Sequence, residues 1–310
     1  MSPPQLTVVL PTRNRPIDLQ RAARSVLGQT FRDLELVVVD EGSSDETPEV
    51  LAALCEEDAR VRVVRNDVAV GLPGARNCAI EVARGDLVAF CDDDDAWMPD
   101  IARYLVDVFD ADPEVGAVSA WHEVLQVESG RATIYRCPLD LDDHLLLWMN
   151  FVGNPFGMYR RSLFGPDHLF DTGLAKMTED WDFWLRCAQQ RPFRMVPRVG
   201  YLYRQHGGPR ITQQPTRHSE GLLEFVAKHE GEMTPACRAY HRCVADLLLG
   251  RREAVARRMA GLARSSPADA AFVSLVLGAS WEASALGPRL RDPGLTGRTM
   301  ARLLRSPWAR

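Results

Sequence analysis

The feature that most constrains this chain is a recurrence in its N-terminal third: short, almost continuously apolar runs at 6–10, 34–39, 61–64 and 87–91, separated by segments with helical spacing. Half-exposed antiparallel strands would alternate apolar and polar residues. Runs like these read instead as strands of a parallel sheet covered by helices on both faces. The segments between them carry signals of their own. Residues 17–27 place apolar side chains at helical spacing. Thr47 suits a helix cap, with Pro48 first in the helix and Glu49 at its positive end. Gly71-Leu72-Pro73-Gly74 predicts a turn ahead of a helix over 75–83. Open sheets of this kind bind ligands beyond the carboxyl ends of their strands. The loop 11–13, Asp40 and the cluster Asp92–Asp95 all fall at such ends.

The cluster, in Phe90-Cys91-Asp92-Asp93-Asp94-Asp95-Ala96-Trp97-Met98-Pro99, is physically awkward. Two unit charges about 4 Å apart repel by roughly 4 kcal/mol at an effective dielectric near 20, so water or a cation must screen it. A carboxylate ladder at a strand exit suits a divalent ion that also holds phosphate oxygens, because Mg2+ and Mn2+ take one or two protein carboxylates plus substrate phosphates. The glycine and distant glutamate of an EF-hand loop are missing from the spacing. A solvated acidic turn is the alternative.

Further along, the pattern predicts a helix from Pro99 to about 109, a strand over 115–121, a helix over 141–148 and extended chain at 157–159. A helix opening at Thr178 runs to about 190, and two strands, 193–196 and 199–203, lie either side of Pro197. Much of 122–170 has no clear period. After 213–215 the composition turns Ala/Arg/Leu-rich and helical. The expected organisation is a catalytic α/β domain over 1–210, with a nucleotide-binding half at about 1–110 and an acceptor half at about 111–210, followed by a mainly helical region over 211–310.

Charge follows the same division. Residues 1–210 carry 22 basic against 33 acidic side chains, net −11, and 211–310 carry 15 against 9, net +6, giving −5 for the chain. An acidic body speaks against nucleic-acid binding by that part, leaving the basic tail to be judged separately. Seven scattered cysteines, with no Cys-x-x-Cys pair, point to reduced thiols in a cytoplasmic setting and not to a disulfide frame or zinc site. No apolar run is long enough to span a bilayer. The tail from Trp281 to Arg310 interleaves arginines with Leu295, Met300, Leu303, Leu304 and Trp308. That pattern fits weak docking on an anionic membrane surface, and fits equally a solvated helix packed on the catalytic domain.

Six ordered segments, VVLPTRNRP, SVLGQTF, LVVVDEGSSDET, GLPGARNCAI, ARGDLVAFCDDDDAWMP and TEDWDFWLR, resemble the glycosyltransferase family 2 pattern, over roughly residues 5–206. The resemblance implies a GT-A fold: a mostly parallel nucleotide-binding sheet flanked by helices, here with a helical C-terminal extension. It implies an inverting glycosyltransferase of polysaccharide biosynthesis, moving a sugar from a nucleotide diphosphate donor, a UDP-sugar by preference, to a hydroxyl on a glycan, lipid carrier or small molecule, with Mn2+ or Mg2+ as cofactor. The thiols point to a cytoplasmic location, and the basic tail to peripheral contact at the inner membrane face; the resemblance says little about residues 211–310.

By the same resemblance, Thr12, Arg13, Asp40, Arg76, Asp92 and Asp93 match nucleotide-binding positions. Asp92 and Asp94 of the DxD triplet, with His206, match metal ligands, and Asp95 an outer support. Arg204, or Arg204 together with His206 instead of its metal role, matches a group holding the departing diphosphate. Asp180 matches the general base that takes the acceptor's proton, and Glu179 a residue orienting the site. Plainer roles stand beside these: Asp40 can cap the turn after its strand, Arg76 can pair with a surface acid, and the acids at 179–182 can simply favour a helix start. His206 can be an ordinary loop residue. The competing classes are a nucleotidyltransferase, against which no lysine-bearing glycine loop follows the first strand, and a non-catalytic nucleotide- or glycan-binding relative.

Overall fold

The structure, a computed structural model, describes residues 3–152, 156–165, 169–174, 177–206 and 214–285. The elements run β1 (Leu6–Thr12), α1 (Pro16–Leu27), β2 (Leu34–Asp40), α2 (Thr47–Glu57), β3 (Val61–Arg65), α3 (Gly71–Val82), β4 (Leu87–Phe90), β5 (Ala96–Trp97), α4 (Ile101–Ala111), β6 (Ala117–Gln126), β7 (Arg131–Tyr135), β8 (Asp140–Leu141), α5 (Asp143–Trp148), β9 (Met158–Arg160), α6 (Glu179–Gln190), β10 (Phe193–Gln205), α7 (Pro215–Lys228), α8 (Pro235–Leu248), α9 (Arg252–Ser265) and α10 (Pro267–Ala285).

The strands form one sheet in the order β3-β2-β1-β4-β9-β6-β10-β5, with β7 on β6 and β8 on β10. β1 pairs in parallel with β2 and β4, β2 with β3, and β6 with β10, while β9, β5, β7 and β8 enter antiparallel. Every residue of β1, β2 and β4 is buried, as expected of runs covered on both faces. Even Glu35, 2% exposed, is accommodated: its carboxylate accepts from Arg84, Arg62 and the Thr7 hydroxyl.

Three local expectations are corrected. The helix expected at 75–83 begins four residues earlier, at Gly71, because the Glu41 carboxylate accepts the N–H groups of Val70 and Gly71 at 2.9 and 2.8 Å. A proline near that start, Pro73, loses nothing, since first-turn N–H groups have no partner within a helix. Thr47 does not cap α2: it is the first helical residue, and its hydroxyl accepts the N–H of Arg15 instead. The strands expected at 193–196 and 199–203 are one strand, β10, bulged around Pro197 with register shifts at Val196/Val199 and Val199/Tyr201. A bulge lets a proline sit in a strand without breaking the ladder beyond it.

The C-terminal helices share an apolar cluster with the sheet's second half. Trp148 of α5 packs on Tyr240 and Phe272, and Trp181 of α6 stacks on Phe225 at 4.3 Å. All seven cysteines are free thiols. No described helix is long and apolar enough to cross a membrane. Of the basic tail, residues 281–285 form the end of α10 and the rest lies outside the described residues.

Candidate active site

Register builds the site. β1 and β4 run parallel with Val9 opposite Phe90, so their carboxyl ends lie side by side and Thr12 comes beside the turn Asp92–Asp95. The Thr12 hydroxyl donates to Asp93 at 2.8 Å. The turn closes on itself, Asp95 N–H to Asp92 C=O. On its far side β5 pairs with β10, Ala96 opposite Leu202, which carries residues 204–206 over the turn. There the fully buried Asp95 accepts the Arg204 N–H at 3.1 Å, and His206 Nε2 lies 3.6 Å from Asp94 Oδ2.

Guanidinium groups of the chain itself screen Asp92, Asp93 and Asp94. A single nitrogen of Arg15 lies 3.0 Å from Asp93 Oδ1 and 2.8 Å from Asp94 Oδ2. Arg21 donates to the Asp94 carbonyl. Arg76, only 1% exposed, reaches Asp92 at 3.1 Å and Glu179 at 3.4 Å, tying the end of β4 to the start of α6. Burial still raises the Asp92 carboxyl, against the pull of Arg76. Burial lifts Asp93 to about 7, opposed by Arg15 and the Thr12 hydroxyl.

Asp180 follows Glu179 in the first turn of α6. Its carboxyl is pushed well above the usual range, first by burial and then by the charge of Glu179, while Arg76 and the Trp181 N–H pull the other way. That N–H donates to Asp180 Oδ1 at 2.6 Å. The field of Asp92 also reaches Asp180, so the acidic turn and the α6 start form one electrostatic unit centred on Arg76.

The structure therefore brings Thr12, Asp92, Asp93, Asp94, His206 and the Arg204 main chain together at the acidic turn, and Arg76 links that turn to Glu179, the neighbour of Asp180. Asp40, at the end of β2 and 1% exposed, is engaged locally: it accepts from the Ser43 N–H at 2.9 Å and from Arg65 at 2.6 Å. Arg13 is exposed in the loop after β1. Among the described residues no three His, Cys, Asp or Glu side chains converge as a metal group. Asp94 and His206 approach each other, and Asp92 faces Arg76. The carboxylate oxygens at the turn nonetheless fit a Mn2+ or Mg2+ ion that takes its remaining ligands from phosphates and water. Sequence reasoning missed Arg15 and Glu41. Their signals are faint: Arg15 is a second arginine in a loop already noted, and Glu41 sits next to Asp40.

The model for Glycosyl transferase family 2 matches residues 7–165. The putative colanic acid biosynthesis glycosyl transferase WcaA of Escherichia coli (strain K12) is 28% identical over 253 residues, covering 76% of this chain and 85% of WcaA. A UDP-Glc:alpha-D-GlcNAc-diphosphoundecaprenol beta-1,3-glucosyltransferase, WfaP of Escherichia coli, is 30% identical over 93 residues, which cover 30% of this chain and only 36% of WfaP. Among solved structures, the mannosyltransferase PcManGT from Pyrobaculum calidifontis, in complex with GDP-Man and Mn2+, superposes with a TM-score of 0.61 at 22% identity, covering 98% of this chain and 86% of that one.

Proposed function

This chain belongs to glycosyl transferase family 2 and is an enzyme that transfers sugars, and from that premise we propose that it is an inverting, metal-dependent transferase using a UDP-sugar donor and a hydroxyl acceptor on a lipid-linked sugar or glycan. The observation that carries the reading is Arg76, whose buried guanidinium joins Asp92 of the acidic turn to Glu179, the residue before Asp180. Donor-phosphate and proton-accepting groups then lie on either side of one cation. The named donor and lipid-linked acceptor of WfaP and the Mn2+ of PcManGT support the substrate classes and the metal. The lipid-linked acceptor class supports extending the proposal to a cytoplasmic enzyme that meets its acceptor at the inner membrane face.

Asp94, His206 and Asp92 are the residues that would hold the ion. When bound, a divalent ion there offsets negative charge on the departing diphosphate. In this reading Thr12, Arg13, Asp40 and Asp93 serve the nucleotide, and Arg204 would hold the departing diphosphate. Asp180 takes the acceptor hydroxyl's proton at its carboxylate as that oxygen forms the new bond to the anomeric carbon, and the bond to the diphosphate oxygen breaks on the opposite face. A pKa above the carboxylate range makes Asp180 a stronger proton acceptor than a solvated aspartate.

Replacing the base with its amide, Asp180→Asn, is expected to lower turnover by about 10²–10⁴-fold while leaving donor binding nearly intact. Unchanged turnover overturns the assignment. Screening a panel of nucleotide sugars for product should yield free nucleoside diphosphate; pyrophosphate would instead indicate nucleotidyl transfer.

A further inference from the structure

We infer that Arg15 is a resident counter-cation of the metal site, one whose guanidinium holds Asp94 until a divalent ion displaces it, so that metal and nucleotide bind in a mutually reinforcing way. The inference rests on the proposed metal role of Asp94 and His206. It starts from one oxygen atom. Asp94 Oδ2, the oxygen 3.6 Å from His206 Nε2, is also the oxygen 2.8 Å from Arg15. A cation held between Asp94 and His206 would therefore crowd a group already carrying positive charge. Two cations at such range repel strongly in a half-buried setting, and guanidinium has no lone pair to offer a metal.

Arg15 is built to move while its neighbours stay. Its main chain is anchored on both sides: its N–H donates to Thr47 and its C=O accepts from Leu19. The side chain is 39% exposed, which leaves it a path to solvent. Once it departs, Asp93 keeps the Thr12 hydroxyl and the Asp94 main chain keeps Arg21. The acidic turn thus holds its shape with only one of its cations exchanged. A diphosphate arriving with the metal offers the displaced guanidinium a new anionic partner. Metal alone must overcome the loss of two ion pairs, whereas metal with nucleotide recovers them. By linkage, each ligand tightens the other.

Titration of Mn2+ alone, followed by electron paramagnetic resonance, tests this on wild type, Arg15→Gln, Arg15→Lys and Asp94→Asn, and the series is then repeated with UDP present. Arg15→Gln is expected to bind Mn2+ alone about ten-fold more tightly than wild type, and to show a smaller gain in Mn2+ affinity on adding UDP. Arg15→Lys should fall between the two. The melting temperature of metal-free Arg15→Gln should lie below that of wild type, because Asp93 and Asp94 lose their partner, and should rise further with Mn2+. Equal or weaker Mn2+ binding by Arg15→Gln overturns the inference. Asp94→Asn separates it from its premise: undiminished Mn2+ binding there sinks the metal reading of Asp94 itself, whereas lost binding alongside an unaltered Arg15→Gln sinks the Arg15 role alone.

Discussion

Arg76 shows how a single side chain organises this site. It lies at 1% exposure between Asp92 and Glu179. Removing one partner of a buried ion pair leaves the others uncompensated, so Arg76→Ala is expected to cost about 3–5 kcal/mol of stability, measured by urea unfolding. Arg76→Lys should recover part of it, since it keeps the charge but not the fork. Asp180 yields a pH prediction. Its folded carboxyl is raised by burial and Glu179, so it is protonated, and inactive as a base, to a higher pH than an ordinary aspartate. Turnover should therefore fall as pH drops through that raised value, and in a Glu179→Gln variant the acid limb of the rate profile should move to lower pH. An unmoved limb would count against coupling between the two acids. Residue type was legible in the sequence at Thr12, Arg76, Asp92–Asp94 and Asp180, because these types match a known pattern in order. Partnership was not: nothing in the sequence says that Arg15 faces Asp94, or that Asp40 spends its carboxylate on Ser43 and Arg65.

At the scale of elements, two helices owe their place to side chains distant in sequence. Glu41 caps α3 from thirty residues away, accepting two N–H groups that would otherwise lack partners. Gly42 follows it at φ 68° with the Asp67 carbonyl 3.1 Å from where a Cβ would stand, so the chain turns sharply there to bring Glu41 into place. Glu41→Ala should cost about 0.5–2 kcal/mol, read from thermal or urea unfolding. Helix α6 is clamped to α7 through fully buried Asp182, which lies 2.8 Å from Lys228 and Arg186 and 2.9 Å from His229. His229 also faces Glu232 at 2.8 Å. Burial alone would raise Asp182, but His229, Arg186 and Lys228 outweigh it and hold the carboxyl at about 2. Burial alone would lower His229, but Asp182 and Glu232 outweigh it and raise the imidazole. The signs set a window. The Asp182 contribution is present above its unfolded value, roughly 4, and is lost as pH falls through about 2. The His229 contribution is full below its unfolded value, roughly 6.5, and is lost as pH rises through its raised value. His229→Gln should therefore destabilise the protein most between about pH 4 and 6.5 and progressively less at higher pH, as measured by urea midpoints across that range.

For the molecule as a whole, the C-terminal helices share an apolar cluster with α5 and α6, so we propose that the parts on either side of residue 210 fold together. Trp148 and Trp181 are covered by Phe225, Tyr240, His241 and Phe272 from the C-terminal helices, and His241 Nε2 bonds the Leu147 carbonyl at 2.7 Å. Each large apolar side chain uncovered forfeits about 1.5–3 kcal/mol, a large share of a typical net stability. A chain ending at residue 213 is expected to lose its cooperative thermal transition and near-ultraviolet dichroism; a sharp single melt would refute this. What the sequence by itself determined is the alternation of strand and helix, the parallel N-terminal sheet and the place of the acidic turn at a strand's carboxyl end, because each is a local pattern of apolar spacing, turn residues and charge. What only the tertiary structure decided is who pairs with whom: the order β4-β9-β6-β10 across the poorly patterned middle, the single bulged β10, and the arginines that pair with Asp92, Asp93 and Asp94. Pairing and charge compensation depend on distances between residues far apart in the chain, and those distances are set by packing, which local periodicity does not encode.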